Sequence, residues 1–417
     1  MAKPILLHSA AELLERILNG NMPADRQMEG YFRAHRNMGV RDRGFVAETV
    51  YGCLREKKWL EHIAGGTLLL DVVAAHLLTH GYSARALEEA GFRGDARGMV
   101  ERARTIDKAA LPFETSANLP DWLASRLRAR FGDKETLALS RALNQPAPVD
   151  LRVNTLKAKR EEVQARLADE GFPCEITPYS PSGLRRHDRV PLFRTRCFEE
   201  GLFEVQDEGS QLLSLMLEPR RNEMVVDFCA GAGGKTLHIG ALMANTGTVY
   251  AFDVLAKRLD RLKPRLRRAG LNNVRMVAIS HERDARVQRL EGKIDRVLVD
   301  APCSGTGTLR RNPDIKWREI DLAELADTQQ RILASAAGLL KPGGRLVYAT
   351  CSLLTEENDA IVERFLTDNP GFGPIAANEI LERRHIPLSM TGDALRLYPH
   401  AHQTDAFYAM AMERKRE

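Results

Sequence analysis

The sequence contains few cysteines, and their spacing excludes the common cysteine-based frameworks. The six lie at positions 53, 174, 197, 229, 303 and 351 of a 417-residue chain, and none belongs to a Cys-x-x-Cys pair. Zinc ribbons and small disulfide-rich domains need closely spaced cysteines. We therefore expect free thiols and no metal ion.

Long apolar runs are also missing. The most apolar stretch, residues 68–78, contains Asp71 and His76 and is shorter than the roughly 20 residues that cross a bilayer. The chain begins Met-Ala-Lys-Pro and soon reaches the acidic Glu12 and Glu15, unlike a secretory signal peptide. We therefore expect a cytoplasmic protein that does not enter a membrane.

A strong charge of either sign is absent as well. The 61 Lys and Arg residues exceed the 56 Asp and Glu residues by a net charge of +5, which allows a nucleic-acid partner without requiring one. The 44% hydrophobic and 28% charged residues are typical of a globular protein. Because 417 residues exceed what one hydrophobic core usually serves, we expect two or three domains. We also expect a monomer.

The pattern of apolar residues divides the chain into three parts. Residues 1–135 predict helices, and residues 146–215 begin with a strand signal, in which apolar and polar residues alternate from 149 to 154. From 216 to 417, short apolar runs alternate with helical stretches, which is typical of a parallel, doubly wound sheet. The runs are residues 224–228, 249–252, 274–278, 297–299 and 346–349. The predicted fold class is therefore α plus α/β, with an all-helical domain, a small α/β module and a Rossmann-like domain.

A glycine-rich segment follows the first strand of the third part. The residues from Asp227 to Thr236 read Asp-Phe-Cys-Ala-Gly-Ala-Gly-Gly-Lys-Thr. Glycines let a ligand approach the backbone, and the N-terminus of the following helix offers free N–H groups. Two nucleotide-binding patterns fit incompletely, because a dinucleotide fingerprint lacks its third glycine, at Thr236, and a P-loop lacks its first, at Cys229. A P-loop hydrolase remains an alternative, with Asp300 as its magnesium-binding residue.

Asp253 ends the second of these strands. An acidic side chain at this position can accept hydrogen bonds from ribose hydroxyls. Together with the glycine-rich segment, Asp253 indicates a cofactor that contains a nucleoside.

Two cysteines follow later strands. The motif Asp300-Ala-Pro-Cys303-Ser-Gly comes after the fourth strand, and Ala-Thr-Cys351-Ser comes after the fifth. The carboxyl ends of parallel strands face one crevice, so we expect both thiols beside the glycine-rich segment. Thr355 is predicted to cap a helix over residues 356–366, and a thiol just before a helix N-terminus gains thiolate character. That position favours Cys351 over Cys303 as a nucleophile.

These motifs resemble those of the RsmB/Sun family of RNA 5-methylcytosine methyltransferases. The two cysteine motifs are highly specific, and residues 206–211 and 405–408 resemble two further motifs of the family. The resemblance extends over about residues 150–414, while residues 1–135 resemble the NusB-like domain of the bacterial members. It implies a Rossmann-like methyltransferase domain that binds S-adenosylmethionine and, as the substrate, small-subunit ribosomal RNA.

The resemblance also assigns roles to individual residues. It implies that Cys351 attacks carbon 6 of a cytosine, that Cys303 assists product release, and that Asp300 contacts the base. Addition of a thiolate at carbon 6 makes carbon 5 reactive toward a methyl donor, after which a base removes the carbon-5 proton. The residues expected to contact the cofactor are Cys229, Ala230, Gly231, Ala232, Gly233, Gly234, Lys235, Asp253, Arg258, Asp284 and Asp300.

Two stretches depart from the family pattern. Gly231-Ala232 stands where the family usually has Ala-Pro, so the loop loses a rigid proline and gains a permissive glycine. Asp284 fits an Asp-Ala-Arg pattern whose aspartate reads the adenine, but the spacing is shifted, so Ser280 and His281 remain alternatives.

RNA contacts are expected at two places. Arg152 and Asn154 match an Arg-x-Asn motif of the family, and Arg310 and Arg311 begin a basic stretch close behind Cys303. Lys and Arg side chains commonly position a nucleic acid through its phosphates. Besides the P-loop hydrolase, an RNA-binding or antitermination factor with an inactive enzyme domain remains a rival. The complete cysteine pair argues against both.

Overall fold

The computed structural model describes residues 4–107, 110–188 and 190–416, and the chain divides into two compact units. One unit comprises Met1–Pro146 and Thr308–Ile320, and the other comprises Ala147–Gly307 and Asp321–Glu417. The sequence pattern groups residues 308–320 with the C-terminal domain, whereas in the structure they belong to the first unit.

The first unit is built from helices, as the sequence predicts. Its helices are α1 (Pro4–Leu18), α2 (Ala24–Ala34), α3 (Val40–Ala64), α4 (Leu69–Thr79), α5 (Ala84–Glu89), α6 (Ala96–Thr105), α7 (Phe113–Ala117) and α8 (Asp121–Leu143). The apolar faces of α1, α3 and α4 enclose a core of buried leucine, valine and alanine side chains, and burial of these faces holds short helices together. Among the described residues, no single helix is long and apolar enough to cross a membrane. Helices α3 and α4, which are bent by 98°, pass that test only as a pair.

Lys316 lies in the middle of this helical unit, on the short 3₁₀ helix Pro313–Trp317, and its side chain is fully buried. Its ammonium donates hydrogen bonds to the carbonyl oxygens of Arg55 at 2.8 Å and Asn118 at 2.7 Å, and to Oδ1 of Asn144 at 2.8 Å. Asn118 and Asn144 are the C-caps of α7 and α8, and Arg55 precedes Glu56, where α3 is interrupted by a non-helical φ of −113°. Burial lowers the pKa of Lys316 to about 7. Its amine satisfies the carbonyl oxygens at the end of α7 and at the break in α3, which lack helical partners, and the side-chain oxygen of the residue that caps α8.

Two tryptophan side chains add hydrogen bonds between residues 308–320 and the helices of this unit. The indole N–H of Trp317 donates to the carbonyl oxygen of Leu54 at 2.8 Å, and the indole N–H of Trp122 donates to the carbonyl oxygen of Lys316 at 3.2 Å. Trp317 also packs against the core of the unit. Residues 308–320 thus supply both an internal cation and part of the apolar core to helices that precede them by far in sequence.

The second unit contains a small antiparallel sheet of strand order β2-β3-β1-β4. Its strands are β1 (Val149–Val153), β2 (Glu175–Ile176), β3 (Gly183–Arg186) and β4 (Phe203–Val205), and the helices in this part of the chain are α9 (Arg160–Asp169), α10 (Arg196–Glu199) and α11 (Glu208–Met216). The α/β character predicted for this region is confirmed.

The second unit also contains a large sheet of strand order β7-β6-β5-β8-β9-β12-β10, with β11 paired to β12. Its strands are β5 (Met224–Asp227), β6 (Thr248–Asp253), β7 (Val274–Ala278), β8 (Ile294–Asp300), β9 (Leu340–Thr350), β10 (Phe372–Ile375), β11 (Leu395–Leu397) and β12 (Phe407–Arg414). The helices are α12 (Gly234–Leu242), α13 (Ala256–Ala269), α14 (Ala285–Gln288), α15 (Leu322–Gly338), α16 (Asp359–Asp368), α17 (Ala377–Arg383) and α18 (Pro399–His402). Strands β5 to β9 are parallel, which confirms the predicted Rossmann-like fold.

The strand order reverses at β5, which pairs with β6 on one side and with β8 on the other. In such sheets the ligand crevice opens at the carboxyl ends of the strands that flank the reversal. The five apolar runs predicted as strands correspond to β5 to β9. The antiparallel strands β10 to β12 were not predicted, because Ala and Met in β12 favour helices by local preference and only pairing with β9 makes them a strand.

We expect Lys316→Met to destabilise the helical unit. Methionine keeps most of the apolar volume but leaves three oxygen atoms without their donor, so the free energy of unfolding should fall by about 2–4 kcal/mol, after allowing for the buried charge that is also removed. Faster hydrogen exchange in α3, α7 and α8 would report this loss locally. Lys134→Met, at an exposed position of α8, is the matched control, and equal exchange in the two variants would contradict the role given to Lys316.

Candidate active site

The carboxyl ends of β5, β6, β8 and β9 border one cavity of about 740 Å³. Most of the residues predicted from the sequence line it: Cys229, Ala230, Gly231, Ala232, Gly234, Lys235, Asp253, Arg258, Asp300, Cys303 and Cys351. Gly233 does not line it. This residue has a φ of 84°, and a Cβ there would lie 2.2 Å from Leu262, so its glycine is needed to turn the chain into α12 against α13.

Asp253 accepts a hydrogen bond from the backbone of the glycine-rich segment and fixes its position. One carboxylate oxygen of Asp253 accepts a hydrogen bond from the backbone N–H of Gly231 at 2.8 Å, and the other accepts one from the N–H of Leu255 at 2.7 Å. Gly231 has a φ of 57°, a conformation that glycine adopts without strain. Each carboxylate oxygen has two lone pairs, so Asp253 keeps acceptor capacity on the cavity side.

Lys235 and Asp300 form an ion pair across the cavity wall. The ammonium of Lys235, in the first turn of α12, donates to Asp300 at the end of β8 over 2.6 Å. Burial favours the neutral amine, but the Asp300 carboxylate outweighs burial and raises the pKa of Lys235. The pair therefore places a persistent cation and a fixed carboxylate at the crevice.

Asp227 is a site residue to which the sequence analysis assigns no role. It ends β5, lines the cavity, and accepts a hydrogen bond from the hydroxyl of Thr236 at 2.6 Å. Its other carboxylate oxygen is buried and has no hydrogen-bond partner among the described residues. Burial raises the pKa of Asp227 to about 7. Such an atom fits a ligand that brings a donor or a positive charge.

The two predicted cysteines are brought together, with their sulfur atoms 3.4 Å apart. Cys303 follows β8 and Cys351 follows β9, which are neighbouring parallel strands. The hydrogen bond to Cys351, together with burial, raises the pKa of Cys303 well above its usual range. The Cys303 thiol therefore keeps its proton near neutral pH. Either sulfur can donate the hydrogen bond between them.

The predicted helix start directly after Cys351 is wrong. Thr355 does not cap a helix over 356–366, because Thr355–Glu357 form a single 3₁₀ turn and α16 begins only at Asp359, without a side-chain cap. The position of a helix therefore does not explain why one thiol would be the nucleophile and the other not. The charged groups around each thiol differ, and they can distinguish the two.

Asp284 does not line the cavity, and its direct contact with the cofactor stays a prediction. Its carboxylate accepts hydrogen bonds from the backbone N–H and the hydroxyl of Ser280, at 2.8 and 2.9 Å, and from the guanidinium of Arg286, at 2.7 and 2.8 Å. The hydrogen bond from Arg286 holds the pKa of Asp284 well below its usual range. Ser280 and His281, the alternatives left by the sequence, do line the cavity. Asp284 fixes the position of Ser280 from behind.

Arg152 and Asn154 are buried and do not form an RNA-binding surface. The guanidinium of Arg152 donates to the carbonyl oxygen of Gly234 at 2.6 Å and to the side chain of Gln206. The amide of Asn154 donates to the carbonyl oxygens of Gly201 and Ala269, at 3.0 and 2.9 Å. The Arg-x-Asn motif therefore uses these donors inside the protein, and Arg152 binds Gly234 and Gln206, which line the cavity.

The basic stretch after Cys303 is likewise not an exposed loop. Arg310 is buried and Arg311 is partly buried, and both lie in the segment that belongs to the helical unit. Lys316 is fully buried, and Arg318 pairs with Asp314. The burial of Arg310 gives no support to its predicted phosphate contact, which stays a prediction together with that of Arg311.

Comparison with known proteins places this site in a family. The family model described as 16S rRNA methyltransferase RsmB/F matches residues 214–413, and a model described as the RsmF/B-like ferredoxin-like domain matches residues 119–192. A Bacillus subtilis protein named probable ribosomal RNA small subunit methyltransferase B is 30% identical over 90% of this chain and 91% of its own length.

Two further similarities concern substrate and fold. A human protein named 28S rRNA (cytosine(4447)-C(5))-methyltransferase is 34% identical over 69% of this chain, which spans only 37% of that protein. The crystal structure of PH0851 superposes with a TM-score of 0.80 at 28% identity, and the match covers 99% of each chain.

Arg152→Ala should destabilise the second unit and leave electrostatic RNA binding unchanged. Two buried acceptors lose a charged donor, so the free energy of unfolding should fall by about 2–4 kcal/mol. The slope of log affinity against log salt should match that of the unchanged protein, because no phosphate contact is removed. If Arg152→Ala keeps native stability and the slope of log affinity against log salt becomes shallower by about one, Arg152 contacts an RNA phosphate.

Proposed function

Because this chain belongs to the 16S rRNA methyltransferase RsmB/F family, we propose that it transfers a methyl group from S-adenosylmethionine to carbon 5 of a cytosine in small-subunit ribosomal RNA. The observation that carries the proposal is the pair of thiols 3.4 Å apart, which faces the same cavity as Asp253 and the glycine-rich segment. A P-loop hydrolase has no use for adjacent thiols, and a protein that only binds RNA has no need of a cofactor-sized cavity beside them.

The walls of the cavity suit the separate parts of S-adenosylmethionine. The free lone pairs of Asp253 can accept hydrogen bonds from ribose hydroxyls. The unpartnered oxygen of Asp227 suits the ammonium of the amino-acid portion, and Ile279 and Ser280 line the part of the cavity next to β7, where an adenine would lie. When bound, the cofactor supplies an electrophilic methyl group on a sulfonium.

In this mechanism Cys351 is the nucleophile. Its sulfur forms a bond to carbon 6 of the cytosine as its S–H bond breaks, and the electrons of the carbon 5–carbon 6 double bond move through the ring toward N3, which makes carbon 5 reactive. The thiol proton passes to N3 by way of Asp300, which is held in place by Lys235 at 2.6 Å, binds the N3–N4 edge of the base and so stabilises the adduct. The target base must be unstacked and turned into the cavity to reach both groups.

Cys303 acts in the second half of the reaction. After methyl transfer a base removes the carbon-5 proton, the electrons of that C–H bond restore the carbon 5–carbon 6 double bond, and the bond from carbon 6 to Cys351 breaks. The departing sulfur carries negative charge. The Cys303 thiol, 3.4 Å away and protonated, donates a hydrogen bond to it.

The direct test is transfer of labelled methyl groups from S-adenosylmethionine to total ribosomal RNA, followed by bisulfite mapping of the product. One protected cytosine in small-subunit RNA is expected. If the RNA is labelled but bisulfite mapping finds no protected cytosine, the protein is a methyltransferase that acts on a different atom. Nucleotide hydrolysis without methyl transfer would support the P-loop alternative.

The two cysteines should fail in different ways when replaced. Cys351→Ala should abolish methylation and form no covalent adduct with RNA, because the attacking sulfur is gone. Cys303→Ala should still attack, and should accumulate a cofactor-dependent protein–RNA adduct that survives denaturing electrophoresis, because the departing sulfur is no longer stabilised.

Cys174→Ala, at a buried position beside the small sheet, is the control and should behave like the unchanged protein. An adduct in the Cys351 variant and none in the Cys303 variant would reverse the assignment. The absence of an adduct from both variants, in an active protein, would remove the covalent mechanism.

A further inference from the structure

A buried carboxylate joins the two loops that carry the thiols. Glu357 ends the 3₁₀ turn Thr355–Glu357 and is fully buried. One of its oxygens accepts hydrogen bonds from the backbone N–H of Ser304 at 2.7 Å and from the amide of Gln329 at 3.1 Å. The other accepts from the hydroxyl of Ser304 at 2.5 Å and from the hydroxyl of Ser352.

Ser304 and Ser352 each directly follow a reactive cysteine in sequence. Glu357 therefore bonds to the residue next to Cys303 and to the residue next to Cys351 at the same time. Gln329 extends the contact, because its amide also donates to the carbonyl oxygen of Pro302 at 2.9 Å. The separation of the two sulfur atoms thus depends on one side chain that touches neither of them.

The charge of Glu357 is not neutralised by a basic partner. Among the described residues, the hydrogen bonds to its carboxylate come from hydroxyl, amide and backbone N–H donors, and no Lys, Arg or His side chain forms an ion pair with it. A buried carboxylate needs hydrogen-bond donors in place of water, and Glu357 accepts four hydrogen bonds.

The two thiols face opposite charges. The negative charge of Glu357 acts on Cys303 and on the phenol of Tyr348, and contributes to raising the pKa of both groups. Lys235 lies on the other side and interacts with Cys351, which contributes to raising the pKa of Lys235. Asp300, which is bonded to Lys235, and the carboxylates of Asp227 and Asp253 are further acidic groups at this edge, with Arg258 and Arg265 as further cations. The Glu357 carboxylate therefore acts on Cys303, and Lys235 is the cation that interacts with Cys351.

We propose that Glu357 is a positioning residue of the methyl transfer: its hydrogen bonds to Ser304 and Ser352 set the distance between the two thiols, and its charge distinguishes Cys303 from Cys351, so that Cys351 is the sulfur that attacks. The inference rests on the function proposed above. It deepens that function by naming what makes two adjacent cysteines chemically different, since no helix start distinguishes them.

Glu357→Gln tests the proposal, since it keeps the shape of the side chain and removes its charge. Single-turnover methylation should fall by about 100-fold or more, because small displacements of reacting groups have effects of that size. Affinity for S-adenosylmethionine should change by no more than about twofold, because Glu357 does not line the cavity.

A second measurement separates positioning from mere support of the fold. Alkylation of each cysteine by iodoacetamide, followed by mass spectrometry over pH 6–10 without RNA, reports the ionisation of each thiol. In the unchanged protein Cys303 should react slowly until alkaline pH. In Glu357→Gln its alkylation curve should move to lower pH by about one unit, and the ratio of Cys303 to Cys351 labelling near pH 7.5 should rise about tenfold.

Glu357→Asp, which keeps the charge, should restore the labelling ratio even where its shorter reach leaves methylation slow. Glu356→Gln, the partly exposed neighbour, is the matched control and should change neither readout. Unaltered methylation in Glu357→Gln, or slow methylation with an unaltered labelling ratio, would overturn the proposal. Because the labelling uses no RNA, failure of the unchanged protein to methylate would count against the proposed function alone.

Discussion

The reversal of strand order at β5 is the constraint on which the reactive centre depends. Because β5 pairs with β6 on one side and β8 on the other, the residues that end these strands meet at one crevice although they lie far apart in sequence. Asp227, Asp253 and Asp300 are those strand-end residues. Three carboxylates at one edge would repel each other, and Lys235, the backbone N–H groups that bind Asp253, and the hydroxyl of Thr236 offset that repulsion.

The two reactive cysteines have identical side chains, and the residues that surround them make their thiols chemically different. Both reactive cysteines follow parallel neighbouring strands and share one hydrogen bond, so the local backbone does not tell them apart. The distinction comes from Lys235 on one side and Glu357 on the other. A similar arrangement occurs after β7, where the carboxylate of Asp284 accepts two hydrogen bonds from Ser280, a residue that lines the cavity.

Sequence reasoning succeeded where a local pattern determines the structure. Apolar runs located β5 to β9, and the rule that parallel strands end at one edge brought Cys303, Cys351 and the glycine-rich segment together correctly. It failed wherever a polar side chain is used inside the protein. Arg152, Arg310 and Lys316 have the residue types of RNA contacts, yet they are buried. Nothing in the local sequence shows the distant carbonyl groups that bind Arg152 and Lys316. Glu357 was missed for the same reason, since its partners, apart from Ser352, are remote in the chain.

The position of Lys316 within the helical unit also has a consequence for biosynthesis. The ribosome completes α1 to α8 long before it reaches the segment that carries the internal ammonium and Trp317. At synthesis rates of about 5–20 residues per second, the newly made helices remain for many seconds without the cation that binds their ends. The helical unit can therefore complete its packing only after residue 320 has been made.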